Sequence, residues 1–155
     1  MQKIKEVFGK NIAGLLGKTI PDKIAIAVSG GADSIALLHL LSDWAKETTI
    51  SLYVLFVDHN LRLESKEEGL YVQELSKQLG HKFIGLSWCK SSENGNLQEQ
   101  AREGRYALMI EQCKLYEIDL LITGHHRNDI IENFLMRKSR KSGIFGLSTS
   151  NTTFR

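Results

Sequence analysis

One short glycine-rich segment, Ser29-Gly-Gly-Ala-Asp-Ser34, contains residue types that suit phosphate binding. It follows the apolar run Ile24–Val28 and precedes a helical pattern, so it lies at a predicted strand–helix junction. Gly30 and Gly31 can take positive φ and leave room for an anion beside the backbone. The free N–H groups and the dipole of the next helix favour a phosphate there. The predicted phosphate-contacting residues are Ser29, Gly30, Gly31, Ala32, Asp33 and Ser34.

The carboxylate of Asp33 suits a phosphate site when a hard cation bridges it to the ligand, which predicts Mg²⁺. The segment lacks the GxxxxGK[ST] pattern of a Walker A loop, and it contains no lysine. The same residues also fit a tight turn in which Asp33 or Ser34 caps the helix. Both interpretations stay open on this segment alone.

Two further polar segments follow apolar runs. Asp58-His-Asn-Leu-Arg62 follows residues 50–57, and Gly124-His-His-Arg-Asn-Asp129 follows residues 119–123. The carboxyl ends of parallel strands meet at one sheet edge, where ligands bind in α/β proteins. Asp58 can contact a ribose hydroxyl or an amine, and Arg62 can neutralise a phosphate. Asp58, His59 and Arg62 are predicted to be cofactor-binding residues. A solvated loop is the alternative for residues 58–62.

Three residues near the last apolar run combine imidazole and carboxylate groups: His125, Asp129 and Glu132. Such groups suit Mg²⁺ binding, orientation of a nucleophile or proton transfer. Asp33, Asp129 and Glu132 are the predicted metal ligands. Adjacent histidines at a strand end point apart, which disfavours zinc.

Basic residues occur in two clusters. Arg102 and Arg105 lie three positions apart on a predicted helix, so they share a face and can stabilise a phosphodiester or a developing negative charge. Residues 137–141 fit either RNA phosphate contact or a favourable helix C-terminus.

These residues need an alternating α/β framework to bring them together. Helices are predicted over residues 2–16, 35–44, 64–79, 96–116 and 128–140, and strands over 24–28, 50–57, 82–88 and 119–123. Gly80 is a predicted helix C-terminal cap. This alternation predicts a parallel sheet with helices on both faces.

The composition indicates an ordinary globular domain. The chain has 155 residues, 42% of them hydrophobic and 25% charged, with a formal net charge of +2. No apolar run has the length of a membrane span, and the first ten residues do not resemble a signal peptide. The two cysteines, Cys89 and Cys113, form no CxxC motif, so a disulfide framework or a structural metal site is not expected.

Several of these segments together resemble a known family. SGGADS is similar to the PP-loop of the ATP pyrophosphatases. VDHNLR at 57–62, NLQEQAREGRY at 96–106 and GHHRNDIIEN at 124–133 are similar to segments of the tRNA(Ile)-lysidine synthetases. The resemblance covers about residues 22–148. It implies the PP-loop ATP pyrophosphatase fold, which is Rossmann-like and of the adenine nucleotide alpha hydrolase type.

The resemblance also implies an activity and its partners. Lysidine synthetases use ATP to adenylylate cytidine 34 of a minor tRNA(Ile) with a CAU anticodon, and the amine of L-lysine then displaces AMP. By this resemblance ATP and Mg²⁺ are the cofactors. The implied catalytic residues are Asp33, Arg102, Arg105, His125, Asp129 and Glu132. A cytoplasmic location is expected, with no membrane partner.

The chain departs from the family pattern in ways that leave alternatives open. Asn133 replaces the usual threonine, and Asn128-Asp129-Ile130 replaces a more polar triplet. Residues 1–155 are expected to form one catalytic domain that is incomplete at its C-terminus and lacks the tRNA-binding domains. Four strands are predicted where the family has five, so strand 119–123 is expected to have an unpaired flank and to promote self-association. Another PP-loop enzyme, such as an amide-forming synthetase, and a non-catalytic nucleotide-binding module are the alternative functions.

Overall fold

A computed structural model describes residues 2–17, 20–58, 64–89, 97–124 and 131–135, with the backbone alone described over 97–99 and 131–135. Four helices and five strands are present in these ranges. In chain order they are α1 Gln2–Leu16, β1 Lys23–Ala27, α2 Ala32–Lys46, β2 Ser51–Asp58, α3 Glu64–Leu79, β3 Lys82–Ser87, α4 Leu97–Leu115, β4 Leu120–Gly124 and β5 Ile131–Leu135.

The strands form a single sheet in the order β3-β2-β1-β4-β5. Strands β1 to β4 pair in parallel, and β5 pairs with β4 in the antiparallel direction. The chain runs outward from β1 through β2 to β3 and then returns to place β4 on the other side of β1. The strand order therefore reverses between β1 and β4, and such a reversal is where α/β proteins bind ligands, at the carboxyl ends of the strands.

Alternate residues of each strand pack against helices on opposite faces of the sheet. On one face, Ile26, Val54 and Ile122 belong to a buried cluster that also includes residues of α1, α2 and α3. On the other face, Leu55 and Leu121 belong to a cluster with residues of α4. The predicted parallel sheet with helices on both faces is confirmed.

The C-terminal ends of two helices show how the sequence stops them. Gly80 takes a φ of +82° directly after α3, while the N–H of His81 donates to the carbonyl of Ser76 at 2.9 Å. This is the arrangement of a Schellman cap, and it confirms the predicted role of Gly80. At the end of α4, Lys82 Nζ lies 4.1 Å from the centre of the Tyr116 ring, and Lys23 Nζ donates to the Tyr116 carbonyl at 2.9 Å.

The prediction of a last helix over residues 128–140 is wrong for the part that the structure describes, because residues 131–135 form β5. The apolar residues of this segment recur at a helical spacing, which is why the local pattern favoured a helix. The exposed flank of β4 offers backbone hydrogen bonds that no local pattern can reveal. Leu121 pairs with Phe134 and Thr123 pairs with Glu132 across that flank.

The expectation of an unpaired flank on β4 is corrected by the same observation. A bare strand edge recruits other strands because its N–H and C=O groups lack partners. Here β5 occupies that edge along all five residues of β4. The predicted self-association through this edge therefore loses its structural basis.

Candidate functional site

The segment between β1 and α2 forms a loop at the carboxyl edge of the sheet. The N–H of Val28 donates to the carbonyl of Leu55 at 2.9 Å, so pairing with β2 continues up to the loop. Gly30 then takes a φ of +86°, and Gly31, in an extended conformation, is the N-cap of α2 without a side-chain cap. The first N–H groups of a helix have no partner within the helix, so those of α2 are oriented toward a ligand at this edge.

The hydroxyl of Ser34 holds the loop in shape. Ser34 Oγ donates its single proton to the carbonyl of Gly31 at 2.8 Å. It therefore accepts from the N–H of Ser29 at 3.2 Å and from the Ser29 hydroxyl at 3.3 Å. Ser34 is buried, whereas Ser29 is exposed. In this arrangement the Ser34 hydroxyl fixes the loop, and its contact with a phosphate stays a prediction.

The loop also packs against α3 through a residue that the sequence did not single out. A Cβ at Gly30 would lie 3.0 Å from Cβ of Glu68 and 3.6 Å from its carboxyl carbon. Glycine is thus required at position 30 both by its positive φ and by this close approach. A carboxylate beside a phosphate loop, together with Asp33, favours a bound cation when the phosphate is present.

Asp58 lies at the end of β2 and is held by the first turn of α3. Ser65 Oγ donates to Asp58 Oδ1 at 2.6 Å, and the N–H of Trp88 donates to the carbonyl of Asp58 at 2.8 Å. The first bond ties Asp58 to the start of the next helix and the second ties it to the end of β3, so the position of this carboxylate is fixed by the fold. A carboxylate held in this way suits the recognition of a hydroxyl or amine donor.

The two arginines of α4 occupy different environments. Arg102 is exposed, although the guanidinium carbons of Arg102 and Arg105 both lie near the Tyr106 ring, 5.9 Å and 5.3 Å from its centre. Arg105 is half-buried and belongs to the same helical stripe as Ala101 and Met109, which pack toward the sheet. Its Nε is buried without a hydrogen-bond partner among the described residues. Arg105 is therefore the arginine that faces the sheet.

Gly104 explains how α4 lies so close to the sheet. A Cβ at this position would overlap Nε1 and Cδ1 of the Trp88 indole, which is itself buried. The indole thus packs directly against the helix backbone between Arg102 and Arg105. Glycine has a low helix propensity, but at position 104 the packing of the indole against the helix requires it.

Several predicted site residues lie outside the described residues: His59, Arg62, His125, Asp129 and the basic residues 137–141. Glu132 is described by its backbone alone, and it pairs with Thr123 in the sheet. Glu132 therefore lies in a strand and not in the predicted helix of residues 128–140. The roles of all these residues stay predictions.

The described residues include no group of three or more His, Cys, Asp or Glu that could hold a metal ion. Mg²⁺ at phosphate sites usually keeps water and phosphate oxygens and takes only one or two carboxylates, so Asp33 beside the loop still fits such an ion. Cys89 and Cys113 are both free. Burial raises the pKa of the Cys113 thiol to about 11, so that thiol is protonated at neutral pH.

Comparison with known families gives a match over almost the whole chain. The model of a PP-loop domain matches residues 4–154. The chain belongs to this PP-loop family. The loop of residues 29–34, at the strand–helix junction beside the strand-order reversal, is its PP-loop.

Curated relatives are similar over nearly all of this PP-loop domain. The tRNA(Ile)-lysidine synthase of Rickettsia bellii (strain OSU 85-389) is 51% identical over 149 residues, which are 96% of this chain and 35% of that protein. The tRNA(Ile)-lysidine synthase of Rickettsia prowazekii (strain Madrid E) is 50% identical over 146 residues, 94% of this chain and 34% of that protein. The chain thus spans about a third of the length of these relatives.

Solved structures share the fold at low sequence identity. The U34-tRNA thiolase NcsA from Methanococcus maripaludis superposes with a TM-score of 0.65 and 16% identity, over 77% of this chain and 45% of that chain. The NH3-dependent NAD synthetase from Campylobacter jejuni superposes with a TM-score of 0.59 and 21% identity, over 77% of this chain and 54% of that chain. These likenesses support the PP-loop fold alone. No helix in the described ranges is long and apolar enough to cross a membrane.

The sequence placed the predicted phosphate loop at a strand–helix junction, which the structure confirms, but it missed the residues that pack around the site. Ser65, Glu68 and Trp88 come from other elements, and their contacts with the site depend on how the helices pack. Gly104 carried a usable signal, because a glycine inside a long helical pattern often marks a close approach.

Proposed function

We propose that this PP-loop domain is the ATP-using portion of a tRNA(Ile)-lysidine synthase. The observation that carries the proposal is an identity of about 50% with such synthases over nearly the whole chain, including the loop. Membership of the PP-loop family supports ATP binding at residues 29–34. Because the chain spans about a third of these relatives, its activity and partners are inferred for the enzyme of which this fold is the core.

The proposed reaction begins with ATP in the PP-loop. The N–H groups at the start of α2 and the exposed Ser29 would hold the β- and γ-phosphates, and Asp33 would hold Mg²⁺, which neutralises their charge. Asp58, fixed by Ser65, would accept a hydrogen bond from the ribose or from an amine. Arg105 would face the negative charge that develops as the adenylate forms.

The substrates follow from the same proposal. O2 of cytidine 34 in a tRNA(Ile) with a CAU anticodon attacks the α-phosphorus, and pyrophosphate leaves. The ε-amine of L-lysine then attacks C2, and AMP leaves. His59, Arg62, Arg102, His125, Asp129 and Glu132 are proposed to contact these substrates. A reaction on tRNA places the enzyme in the cytoplasm.

A sulfur-transfer function, which one structural neighbour carries out, fits the chain poorly. The chain has two cysteines, too few for a cluster with several thiolate ligands. Cys113 is also buried with a raised pKa, which disfavours its use as a nucleophile. An amide-forming synthetase stays the alternative that an experiment has to separate.

Exchange of labelled pyrophosphate into ATP separates these functions. We expect exchange to require a tRNA(Ile) transcript with a CAU anticodon and to stop when cytidine 34 is replaced by uridine. The uridine transcript is the matched control, because it changes the attacked base alone. Exchange that depends on a carboxylic acid, without RNA, would instead show an amide-forming synthetase.

A further inference from the structure

The hydroxyl of Thr123 lies buried near the end of β4. The side chain is 2% exposed, and Oγ1 has no hydrogen-bond partner among the described residues. A buried hydroxyl without a partner lowers stability, whereas valine would fill the same space without that penalty. A buried hydroxyl of this kind favours a partner outside the described part of the chain, and a bound ligand is one such partner.

The position of Thr123 connects it with the PP-loop. Thr123 pairs in register with Ala27 of β1, across the point where the strand order reverses. Ala27 is separated from Ser29, the first loop residue, by a single residue. Neighbouring strands lie about 4.8 Å apart, so the hydroxyl is one strand away from the base of the loop.

The face of the sheet on which Thr123 lies is the α4 face. Leu121 packs into the cluster that contains α4 residues, and Thr123, two positions later in the strand, lies on the same side. Arg105 faces the sheet from α4, and its Nε also lacks a partner among the described residues. Both groups donate hydrogen bonds, so together they favour an oxygen acceptor with negative charge.

We propose that Thr123 is a binding residue whose hydroxyl donates to a non-bridging oxygen of the α-phosphate of ATP, with Arg105 supplying positive charge on the same face. The assignment rests on the proposed function in one respect, that the PP-loop holds the β- and γ-phosphates. The α-phosphate is the next group along the nucleotide and would extend from the loop toward the neighbouring strand, in which Thr123 is the last residue but one.

This contact would act on the reaction as well as on binding. When the target oxygen attacks the α-phosphorus, the bond from that phosphorus to the bridging oxygen breaks, and its electron pair leaves with pyrophosphate. Negative charge on the non-bridging oxygens then has to be balanced by fixed donors. A hydroxyl held by a buried strand meets this need without reorganisation.

The test compares Thr123→Val with the wild-type chain in two measurements. Valine keeps the shape and removes the hydroxyl, so chemical denaturation without ligand should show equal or higher stability. Calorimetric titration should show about tenfold weaker binding of Mg-ATP and of AMP, because a hydrogen bond to a charged oxygen is lost. Binding of inorganic pyrophosphate, which has no α-phosphate, should not change.

Thr48→Val is the matched control. Thr48 Oγ1 donates within the C-terminal turn of α2, to the carbonyls of Trp44 and Ala45 at 3.3 and 3.2 Å, so its loss should lower stability and leave nucleotide binding unchanged. The assignment is overturned if Thr123→Val lowers stability without ligand, if it leaves Mg-ATP binding unchanged, or if it weakens pyrophosphate binding equally.

The proposed function and this assignment fail in different ways. A wild-type chain that binds no Mg-ATP would overturn both. The wild-type chain could instead bind ATP and lose affinity in Thr123→Val, while pyrophosphate exchange shows no dependence on tRNA. That result would overturn the proposed function alone and leave the assignment standing.

Discussion

At the scale of single residues, hydroxyl and imidazole groups serve here mainly to fix other groups in place. Ser34 orients the PP-loop, Ser65 orients Asp58, and Ser42 contacts His81 with 2.7 Å between Ser42 Oγ and His81 Nε2. The first contact lies within one segment, whereas the other two join residues of different segments. The contact between Ser42 and His81 involves a titratable group, so its effect on stability can be measured as a function of pH.

His81 makes stability depend on pH in the weakly acidic range. Burial lowers the pKa of His81 below its ordinary value of 6.5, and the charge of Lys46 lowers it further. The unfolded chain therefore binds a proton at a pH where the folded chain does not. Stability from this residue is complete well above the unfolded pKa of about 6.5, begins to fall as the pH approaches that value, and is lost as the pH falls through the lowered pKa of the folded state.

We expect the free energy of unfolding to fall between about pH 7.5 and about pH 5.5, and to fall less in His81→Gln, which keeps a hydrogen-bonding side chain without titrating. Urea denaturation of both proteins at each pH measures the difference. His39→Gln is the control on the exposed surface of α2. Equal pH dependence in the His81 variant and the wild type would contradict the account.

At the scale of elements, the packing of α4 against Trp88 places Arg105. Helix propensity alone predicts that Gly104→Ala stabilises the chain by about 0.5–1 kcal/mol. The overlap of a new Cβ with the buried indole predicts the opposite, a loss of about 1–3 kcal/mol. Thermal or urea denaturation of Gly104→Ala and the wild type shows whether the free energy of unfolding rises or falls.

Gly14→Ala is the matched control for this prediction, since Gly14 lies in α1 with no atom within 4 Å of a new Cβ. That variant should become slightly more stable. Adding Trp88→Leu to Gly104→Ala should recover part of the loss that the overlap causes. A Gly104→Ala chain as stable as the Gly14→Ala chain would show that the indole does not constrain α4.

The elements also show where prediction from sequence succeeds and where it fails. The PP-loop and the four parallel strands were predicted because strand, glycine pair and helix follow one another within a short segment, or because apolar runs alternate with helical patterns. Residues 131–135 were assigned to a helix because Ile131, Phe134 and Leu135 fit that spacing. Their pairing with β4 depends on a flank that only the assembled sheet provides.

The functional side chains divide in the same way. The phosphate loop could be read from its residue types, since glycine and small polar residues at a strand–helix junction have few other uses. Thr123 could not be identified from the sequence, because threonine is common in β-strands. Only its burial, its register with Ala27 and its missing partner single it out.

At the scale of the whole molecule, the sheet brings every described site residue to one edge. The PP-loop, Asp58 and Thr123 follow or end β1, β2 and β4, and the first half of α4 lies above the same edge. Helices α1 to α3 cover one face and α4 the other, so a nucleotide in the PP-loop lies between the two layers. This arrangement supports phosphate chemistry at the point where the strand order reverses.

Calorimetric titration of the chain with ATP in the presence of Mg²⁺ tests the central claim, that residues 29–34 bind the phosphates of ATP through a cation held by Asp33. Asp33→Asn removes the charge at the loop, and Asp43→Asn removes a charge elsewhere on α2, where Asp43 pairs with Lys5 at 2.7 Å. We predict binding by the wild type and by Asp43→Asn, and about tenfold weaker binding by Asp33→Asn with little remaining dependence on Mg²⁺. Absence of binding by the wild type, or equal Mg-dependent binding by all three chains, would contradict the claim.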